Sequence, residues 1–513
     1  MSKIFDKLKD NAMLSPNKTA LIQGDGVYLT YAQLVRQVNR KITFLKDMLG
    51  HSGCRVAFCF RESANIPIII FTLNALRATA IPLNPSLKTK QINIFLQSID
   101  AEVLLVDSST SNLIDTNRFV PVVNIDLLKE NPIINLNLSK DNLIDQKYSQ
   151  FLVTFSSGST GEPKPILFSE QNKIKRFKQA VEIFDIDRND VVLCASPFFH
   201  SLGQRLTLLP LLVGGTLVQL PHFNIEKWVD AVTRYNVTFT IPVSTHLHVL
   251  ADQLTKHPEK FNSIRSIVSS SAIIDRGVKK NLFRKLNCNF YEMYGASEIA
   301  TATSLNKFQA IKKPNSVGLP CPGVKVRIVN QEFVDCKPMT TGKIVIKSPL
   351  VSSYYKLDEI TKKSFIDDYF ITGDLGYLDA DGYLYFVDRE KDLIISGGAN
   401  IYPSDIEQNI NDNKYVDICV VVGVKDYYLG EVVVAVIVSK EEDKTLVEND
   451  IRSMIRQHLL PIQQPIKYFF ENNLPYLPSG KIDRKAIKKY LNTLDLDLSK
   501  ILRKIKNFNT DPA

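Results

Sequence analysis

Residues Phe151–Pro165 read FLVTFSSGSTGEPKP. An apolar strand, Phe151–Phe155, runs straight into hydroxyls and glycines and ends in a lysine set between two prolines. Ser156, Ser157, Ser159 and Thr160 offer hydroxyl donors. Gly158 and Gly161 permit positive φ, so successive N–H groups can converge into an anion-binding concavity. Lys164 adds a point charge. The chemistry is that of a polyphosphate cradle, and it differs from a Walker A loop because no G-x-x-x-x-G-K-[ST] is present. A flexible Ser/Gly linker is the competing reading; the strand before it and the Pro-Lys-Pro after it favour the cradle.

Outward from this stretch, between Tyr28 and Val268, β-branched runs alternate with helical patterns. Cys54–Phe60 and Ala101–Val106 read as strands and Ala64–Arg77 as a helix, a rhythm that predicts parallel-rich sheets covered by helices. From Ser316 onward Gly and Pro become frequent and short period-two strands follow: Val324–Val329, Gly342–Lys347, and Tyr383–Asp388 after the turn Asp379–Gly382. These predict a small antiparallel or barrel-like unit. Beyond Ser396, helix Pro403–Ile410, strands Val416–Val424 and Glu431–Val438, and helix Glu448–His458 predict an α+β domain. The fold class is therefore α/β. A large N-terminal domain covers 1–390, with 315–390 barrel-like, and a smaller α+β C-terminal domain covers 391–513. Asp495–Lys506 reads as a solvated basic amphipathic tail.

The 513 residues are 44% apolar and 23% charged, which excludes a disordered or fibrous chain. A net charge of +9 suits anionic small substrates but is too diffuse for nucleic acid. Seven cysteines without a CxxC pair read as free thiols in a reducing cytosol. The N-terminus is charged throughout and lacks the apolar core of a signal peptide. Ile66–Leu76 and Leu206–Leu220 fall short of the ~20 apolar residues that span a bilayer. A cytoplasmic protein without a transmembrane segment is expected.

SSGSTGEPK (Ser156–Lys164) resembles the phosphate-binding loop of the adenylate-forming superfamily: acyl- and aryl-CoA synthetases, peptide-synthetase adenylation domains and insect luciferases. Five further motifs follow in the family's order: PFFH (Pro197–His200), YGASE (Tyr294–Glu298), ITGDLG (Ile371–Gly376), DREKDLIISGGANIYPSDIE (Asp388–Glu407) and LPSGKIDR (Leu477–Arg484). Six collinear matches span nearly the whole chain. The resemblance implies that a carboxylate attacks the α-phosphate of Mg²⁺-bound ATP, releasing pyrophosphate. A thiol, that of CoA or of a phosphopantetheine, then displaces AMP.

On the matched positions, Ser156, Ser157, Gly158, Ser159, Thr160, Gly161 and Lys164 would hold the β- and γ-phosphates. Glu298 would ligate Mg²⁺, since a hard dication prefers carboxylate and phosphate oxygens. Tyr294, beside Gly295, would stack on adenine, Ser271 and Ala272 would line it, and Ser297, where most members have threonine, would face the α-phosphate. Asp374 would accept the ribose hydroxyls with Arg389 assisting. Lys481 would neutralise charge between carboxylate and α-phosphate. To reach the site it needs a mobile C-terminal domain hinged near Lys391. Gly397 and Gly398 would let the backbone approach the pantetheine arm.

His200 stands where amino-acid-activating relatives place an aspartate, which disfavours amino acids; it gates or lines the acyl pocket, or is a packed core histidine. Leu202, Gly203, Thr207, Val243, Ser244 and Ser269–Ser271 would complete that pocket, which fits a fatty or aryl acid. His246 and His248 lack a third ligand for zinc. Thr79, Lys343 and Ser353 depart from common family residues outside the chemical core. The leading reading is a Mg-ATP-dependent acid–CoA ligase. The alternatives are a stand-alone adenylation enzyme loading a carrier protein in trans, a non-catalytic nucleotide-binding relative, and an oxidative luciferase.

Overall fold

The structure is a computed structural model describing residues 2–24, 26–49, 52–61, 65–111, 120–127, 150–157, 163–270, 274, 276–354, 358–477 and 480–494. Two parallel-rich sheets build the larger part. The first has nine strands in the order Leu319–Pro320, Ala300–Asn306, Asn289–Ala296, Ser266–Ser269, Phe239–Thr240, Val191–Cys194, Thr216–Gln219, Thr19–Gln23 and Tyr28–Thr30. Its centre is parallel and both edges are antiparallel. The second sheet has seven strands, with Leu152–Ser157 between Thr79–Pro82 and Pro163–Phe168.

Strands Arg55–Cys59 and Val103–Val106 are buried along their whole length, as parallel strands covered on both faces must be. One continuous core joins the sheets, taking Val56, Phe58 and Phe71 from one side and Val192, Leu217 and Val268 from the other. The alternation expected between Tyr28 and Val268 is present; the antiparallel pair Asn289–Ala296 with Ala300–Asn306 was not foreseen.

The charged N-terminus folds as a helix, Lys3–Leu14. Ile4, Phe5, Leu8 and Asn11 form its buried stripe at helical spacing. Phe5 N–H donates to Asn74 Oδ1 (3.0 Å), and the Asn11 amide donates to the Leu211 and Leu212 carbonyls, so polar atoms pin this helix as firmly as apolar ones.

The antiparallel unit comprises Lys325–Val329, Gly342–Lys347, Tyr369–Leu378, Phe365–Ile366 and Leu384–Arg389. Among the described residues no pairing closes it into a barrel. The C-terminal part centres on the long hairpin Val416–Asp426/Gly430–Ser439 with helices Pro403–Asn411 and Lys444–Ile455. The latter helix starts four residues before the expected Glu448. The Asp443 carboxylate accepts from the Thr445 and Leu446 N–H groups and caps it there. The tail Asp495–Lys506 lies outside the described residues. All seven cysteines are free, as the spacing implied. Among the described residues no helix is long and apolar enough to cross a membrane.

Candidate active site

The phosphate-loop stretch joins two antiparallel strands. Ser156 and Ser157 end the strand Leu152–Ser157 and lie opposite Lys164 and Pro163 on Pro163–Phe168. Gly158, Ser159, Thr160 and Gly161 lie outside the described residues, as do Ser271 and Ala272. Lys164 is half-buried on the second of these strands.

Ser297 and Glu298 follow the strand Asn289–Ala296, and a residue the motifs do not contain fixes their backbone. Arg176, on helix Glu170–Phe184, donates to the Ser297 carbonyl (2.7 Å), the Glu298 carbonyl (2.8 Å) and the Leu350 carbonyl (2.6 Å). A buried guanidinium spread over three carbonyls locks the turn that presents the Glu298 side chain. The sequence held a signal for it: Lys173 and Arg176 share a helix face with the buried Phe177, Ala180 and Phe184. Charged residues on an apolar stripe must find buried acceptors.

Tyr294 and Asp374 meet across two strands. The Tyr294 hydroxyl donates to Asp374 Oδ2 (2.7 Å) and Arg389 Nε stands 3.4 Å from Asp374 Oδ1. Asp374 and Arg389 are directly opposed in the ladder between Tyr369–Leu378 and Leu384–Arg389. Burial raises the pKa of Asp374, and the Arg389 charge and the Tyr294 hydrogen bond oppose that rise. Burial, then the neighbouring carboxylate, push the Tyr294 phenol well up, so it remains a hydrogen-bond donor. This is a carboxylate with acceptor capacity, framed by an aromatic ring and a cation. Gly295 sits on the same strand opposite Thr301.

Lys481 comes from the far end of the chain. Its loop is closed by Leu477 N–H to the Lys481 carbonyl (2.7 Å) and Gly480 N–H to the Leu477 carbonyl (2.8 Å). Gly480 takes φ +80°, and a Cβ there would meet His246 Nε2 at 2.7 Å and Val243 Cγ2 at 3.0 Å. Only glycine fits so close an approach in that conformation. The Thr245 hydroxyl donates to the Gly480 carbonyl, seating the loop on the start of helix Ser244–Lys256 in the larger domain. Near the same boundary His248 Nε2 is hydrogen-bonded to Asp417 Oδ1 (3.2 Å) and Lys343 Nζ forms an ion pair with Glu390 Oε1 (3.0 Å).

Lys481 lies deep but keeps part of its surface accessible. Burial and the Arg389 charge lower its pKa to about 8; Asp374 opposes this and Lys391 adds to it. Burial, then the Lys481 charge, lower His200 to about 4, leaving a neutral imidazole at physiological pH. His200 Nε2 is buried without a hydrogen-bond partner among the described residues, as is Ser269 Oγ. Lys481, His200, Asp374, Arg389 and Lys391 thus fall within one electrostatic neighbourhood. Lys391 itself is exposed in the short turn Glu390–Asp392.

Gly397 and Gly398 form the tip between strands Ile394–Ser396 and Ala399–Ile401, with φ +55° and +83°. They are exposed, and among the described residues no hydrogen bond or ion pair joins them to Lys481, Tyr294 or Asp374. Two motif residues have a structural use that sequence reading missed. Arg484 clamps Glu407 through Nη1 to Oε1 and Nη2 to Oε2, both 2.5 Å, and also donates to the Val421 carbonyl. Of the expected pocket residues, Thr207 is fully buried with its hydroxyl 3.8 Å from Cys194 Sγ. The His246 ring stacks on Phe223 with centroids 3.7 Å apart. Among the described residues no group of three or more His, Cys, Asp or Glu could hold a metal. A Mg²⁺ that takes one carboxylate and otherwise phosphate and water oxygens needs no such group, and Glu298 suits that part.

Comparison with known proteins agrees with this geometry. The profile of the AMP-binding enzyme family matches residues 8–356, and that of the AMP-binding enzyme C-terminal domain matches residues 405–481. The chain is 28% identical over 495 residues to indoleacetate–CoA ligase of Aromatoleum aromaticum, covering 93% of this chain and 96% of that one. Its fold is similar to o-succinylbenzoate CoA synthetase of Bacillus subtilis. In complex with an acyl-adenylate intermediate, that protein gives a TM-score of 0.82 at 27% identity, covering 94% of this chain and 97% of that one. In complex with ATP and magnesium ion, it gives 0.81 at 27% identity, covering 94% and 99%. The chain belongs to the AMP-binding enzyme family and is an AMP-forming acid–CoA ligase of the adenylate-forming superfamily.

Proposed function

We propose that this ligase joins the carboxylate of a small acid to the α-phosphate of ATP beside Lys481, and then passes the acyl group to CoA. The observation that carries the reading is the seat of Gly480 against His246 and Thr245, next to a lysine already sunk beside Asp374 and Arg389. Two anions must approach each other in the first step. A fixed ammonium placed where charge accumulates stabilises that transition state more than the separated reactants. Asp374 and Arg389 position the ribose, Tyr294 supports the base, and the loop ending at Lys164 holds the terminal phosphates. Glu298 would hold Mg²⁺, which would neutralise phosphate charge when bound.

His200, neutral and with Nε2 unpartnered among the described residues, lines the acid site as a hydrogen-bonding wall and transfers no proton. A hinge at Lys391, a cytoplasmic location, and a thiol step in which Gly397 and Gly398 meet the pantetheine arm complete the proposal. The test is pyrophosphate release across aliphatic, aryl and amino acids, followed by offering CoA or a phosphopantetheinylated carrier protein to the adenylate. Acylation of CoA is expected. Acylation of the carrier alone would replace CoA by a protein partner, and no pyrophosphate with any acid would remove the ligase reading.

A further inference from the structure

The turn that carries Ser297 and Glu298 is short and strained. It joins Asn289–Ala296 to Ala300–Asn306, closes with Ile299 N–H on the Ala296 carbonyl (3.2 Å), and leaves through Ala300 at φ +65°. That is the left-handed region, which suits glycine and strains a residue with a Cβ. Ala300 is buried, and its carbonyl comes so close to Gly295 that a Cβ there would meet it at 2.0 Å. The glycine of the motif makes room for the bend, yet the residue that bends is an alanine.

Strain of this kind persists only where the surroundings over-determine it. Here the fastenings come from outside the turn. Arg176 donates to the Ser297 and Glu298 carbonyls, and the Glu298 carbonyl takes a second bond from Ser352 N–H (2.9 Å). Ser348 Oγ donates to the Ile299 carbonyl (3.3 Å) and Gln179 Nε2 to the Thr301 carbonyl (3.0 Å).

Arg176 is the centre of this cradle. Its Nη groups serve the turn, the Leu350 carbonyl and Ser352 Oγ (3.1 Å), while Nε stays buried without a partner among the described residues. One turn back on the same helix, Asn172 Nδ2 donates to the Leu350 and Val351 carbonyls (3.1 Å each), and its Oδ1 is likewise left over. Buried polar atoms are seldom left so; the guanidinium is placed to satisfy the turn rather than itself. Burial and the Arg205 charge lower the pKa of Arg176 to about 9 and the Glu298 carboxylate opposes them, so Arg176 is charged at neutral pH and within electrostatic reach of that carboxylate.

We infer that Arg176 is a positioning residue for the Mg²⁺ that accompanies ATP. By holding a strained turn it fixes where the Glu298 carboxylate stands, and so sets how much Mg²⁺ strengthens ATP binding without itself touching ATP. This rests on the proposal that Glu298 ligates Mg²⁺. Groups behind a metal ligand orient it, and losing one lowers metal affinity by about 10- to 100-fold.

The test measures ATP affinity by calorimetry in Mg²⁺ and in EDTA for the wild type, Arg176→Met, Arg176→Lys and Ala300→Gly. The double variant Arg176→Met/Ala300→Gly is added, with Glu298→Gln as the reference for a lost ligand. The wild type should bind ATP more tightly in Mg²⁺. In Arg176→Met that advantage should fall about 10- to 100-fold, with affinity in EDTA changed by less than about threefold. Arg176→Lys, which keeps the charge and loses the fork, should fall between them. Adding Ala300→Gly to Arg176→Met should recover about 2- to 10-fold, because the turn no longer has to be held against strain. An arginine with a merely structural role would show no such rescue. Equal weakening in Mg²⁺ and EDTA, or a double variant no better than Arg176→Met, overturns the inference. If Arg176→Met does not fold, the same pair built on Arg176→Lys carries both comparisons. A Mg²⁺ advantage absent from the wild type, or undiminished in Glu298→Gln, overturns the assignment of Glu298 to the metal and this inference with it. One lost in Glu298→Gln but intact in Arg176→Met overturns this inference alone.

Discussion

Tyr294 and Asp374 are held by strands. One lies on Asn289–Ala296, paired along its length with Ala300–Asn306; the other faces Arg389 across a ladder. Lys481 arrives on a loop that meets the larger domain at one helix start: the Thr245 hydroxyl on the Gly480 carbonyl and Gly480 against Val243 and His246, with His248–Asp417 nearby. Strand pairing anchored in a shared core is cooperative and costs much to undo. Partly exposed ion pairs contribute about 0–1 kcal/mol each. The nucleotide pocket is therefore a standing feature of the fold, whereas under the hinge proposed at Lys391 the ammonium would be present only while the C-terminal domain stays in place. A site that hosts two successive reactions would gain from that asymmetry, because the second would begin when the lysine leaves.

The sharpest way to break this contrast is Lys481→Ala. Pyrophosphate release should fall by about 10²- to 10³-fold, as for loss of one preorganised electrostatic donor. CoA acylation from synthetic acyl-adenylate should change by only a few-fold, and equal loss in both halves would end the idea of a delivered catalyst. Asp374→Asn tests the permanent half: ATP affinity by calorimetry should weaken about 10- to 150-fold, the range for hydrogen bonds to a charged group.

Next in size is pH. With Lys481 at about 8, kcat/KM for adenylation should decline about tenfold per unit above that value as the ammonium loses its proton, and Lys481→Ala should lack this limb. The stability effect has the opposite sign. A lysine whose folded pKa lies below its ordinary 10.5 destabilises the native state while charged below pH 8, and that cost is relieved as pH rises from about 8 to 10.5. The smallest effects belong to the seat. Gly480→Ala, strained by its φ and by the 2.7 Å approach to His246, should slow adenylation about 5- to 30-fold. His248→Ala should cost less than about fivefold, shrinking further in high salt. Stopped-flow measurement of each half-reaction would separate these from damage to the pocket.

Much of the fold was legible because parallel strands announce themselves: CRVAFCF is apolar but for Arg55, which pairs with Glu102, and is buried throughout. The antiparallel strand at Gly342–Lys347 was found to the residue. Periodicity failed where a polar atom sets the boundary, as at Asp443, and where charged residues disguise an amphipathic helix, as at Lys3–Leu14. Tyr294, Asp374, Arg389, His200 and Lys481, named from motifs, do converge. Arg176 was not named, because helix pattern alone does not reveal which carbonyls a cation on an apolar stripe will reach.

Arg484 and Glu407 stand 77 residues apart, yet their doubled bond fastens the segment bearing Lys481 to the helix that follows Lys391. The two ends of the C-terminal domain are thereby geared together. Under the hinge proposed at Lys391, torque on the chain there would pass through this clamp to the amine, so retreat of the lysine and arrival of the next surface would be a single stroke of one lever.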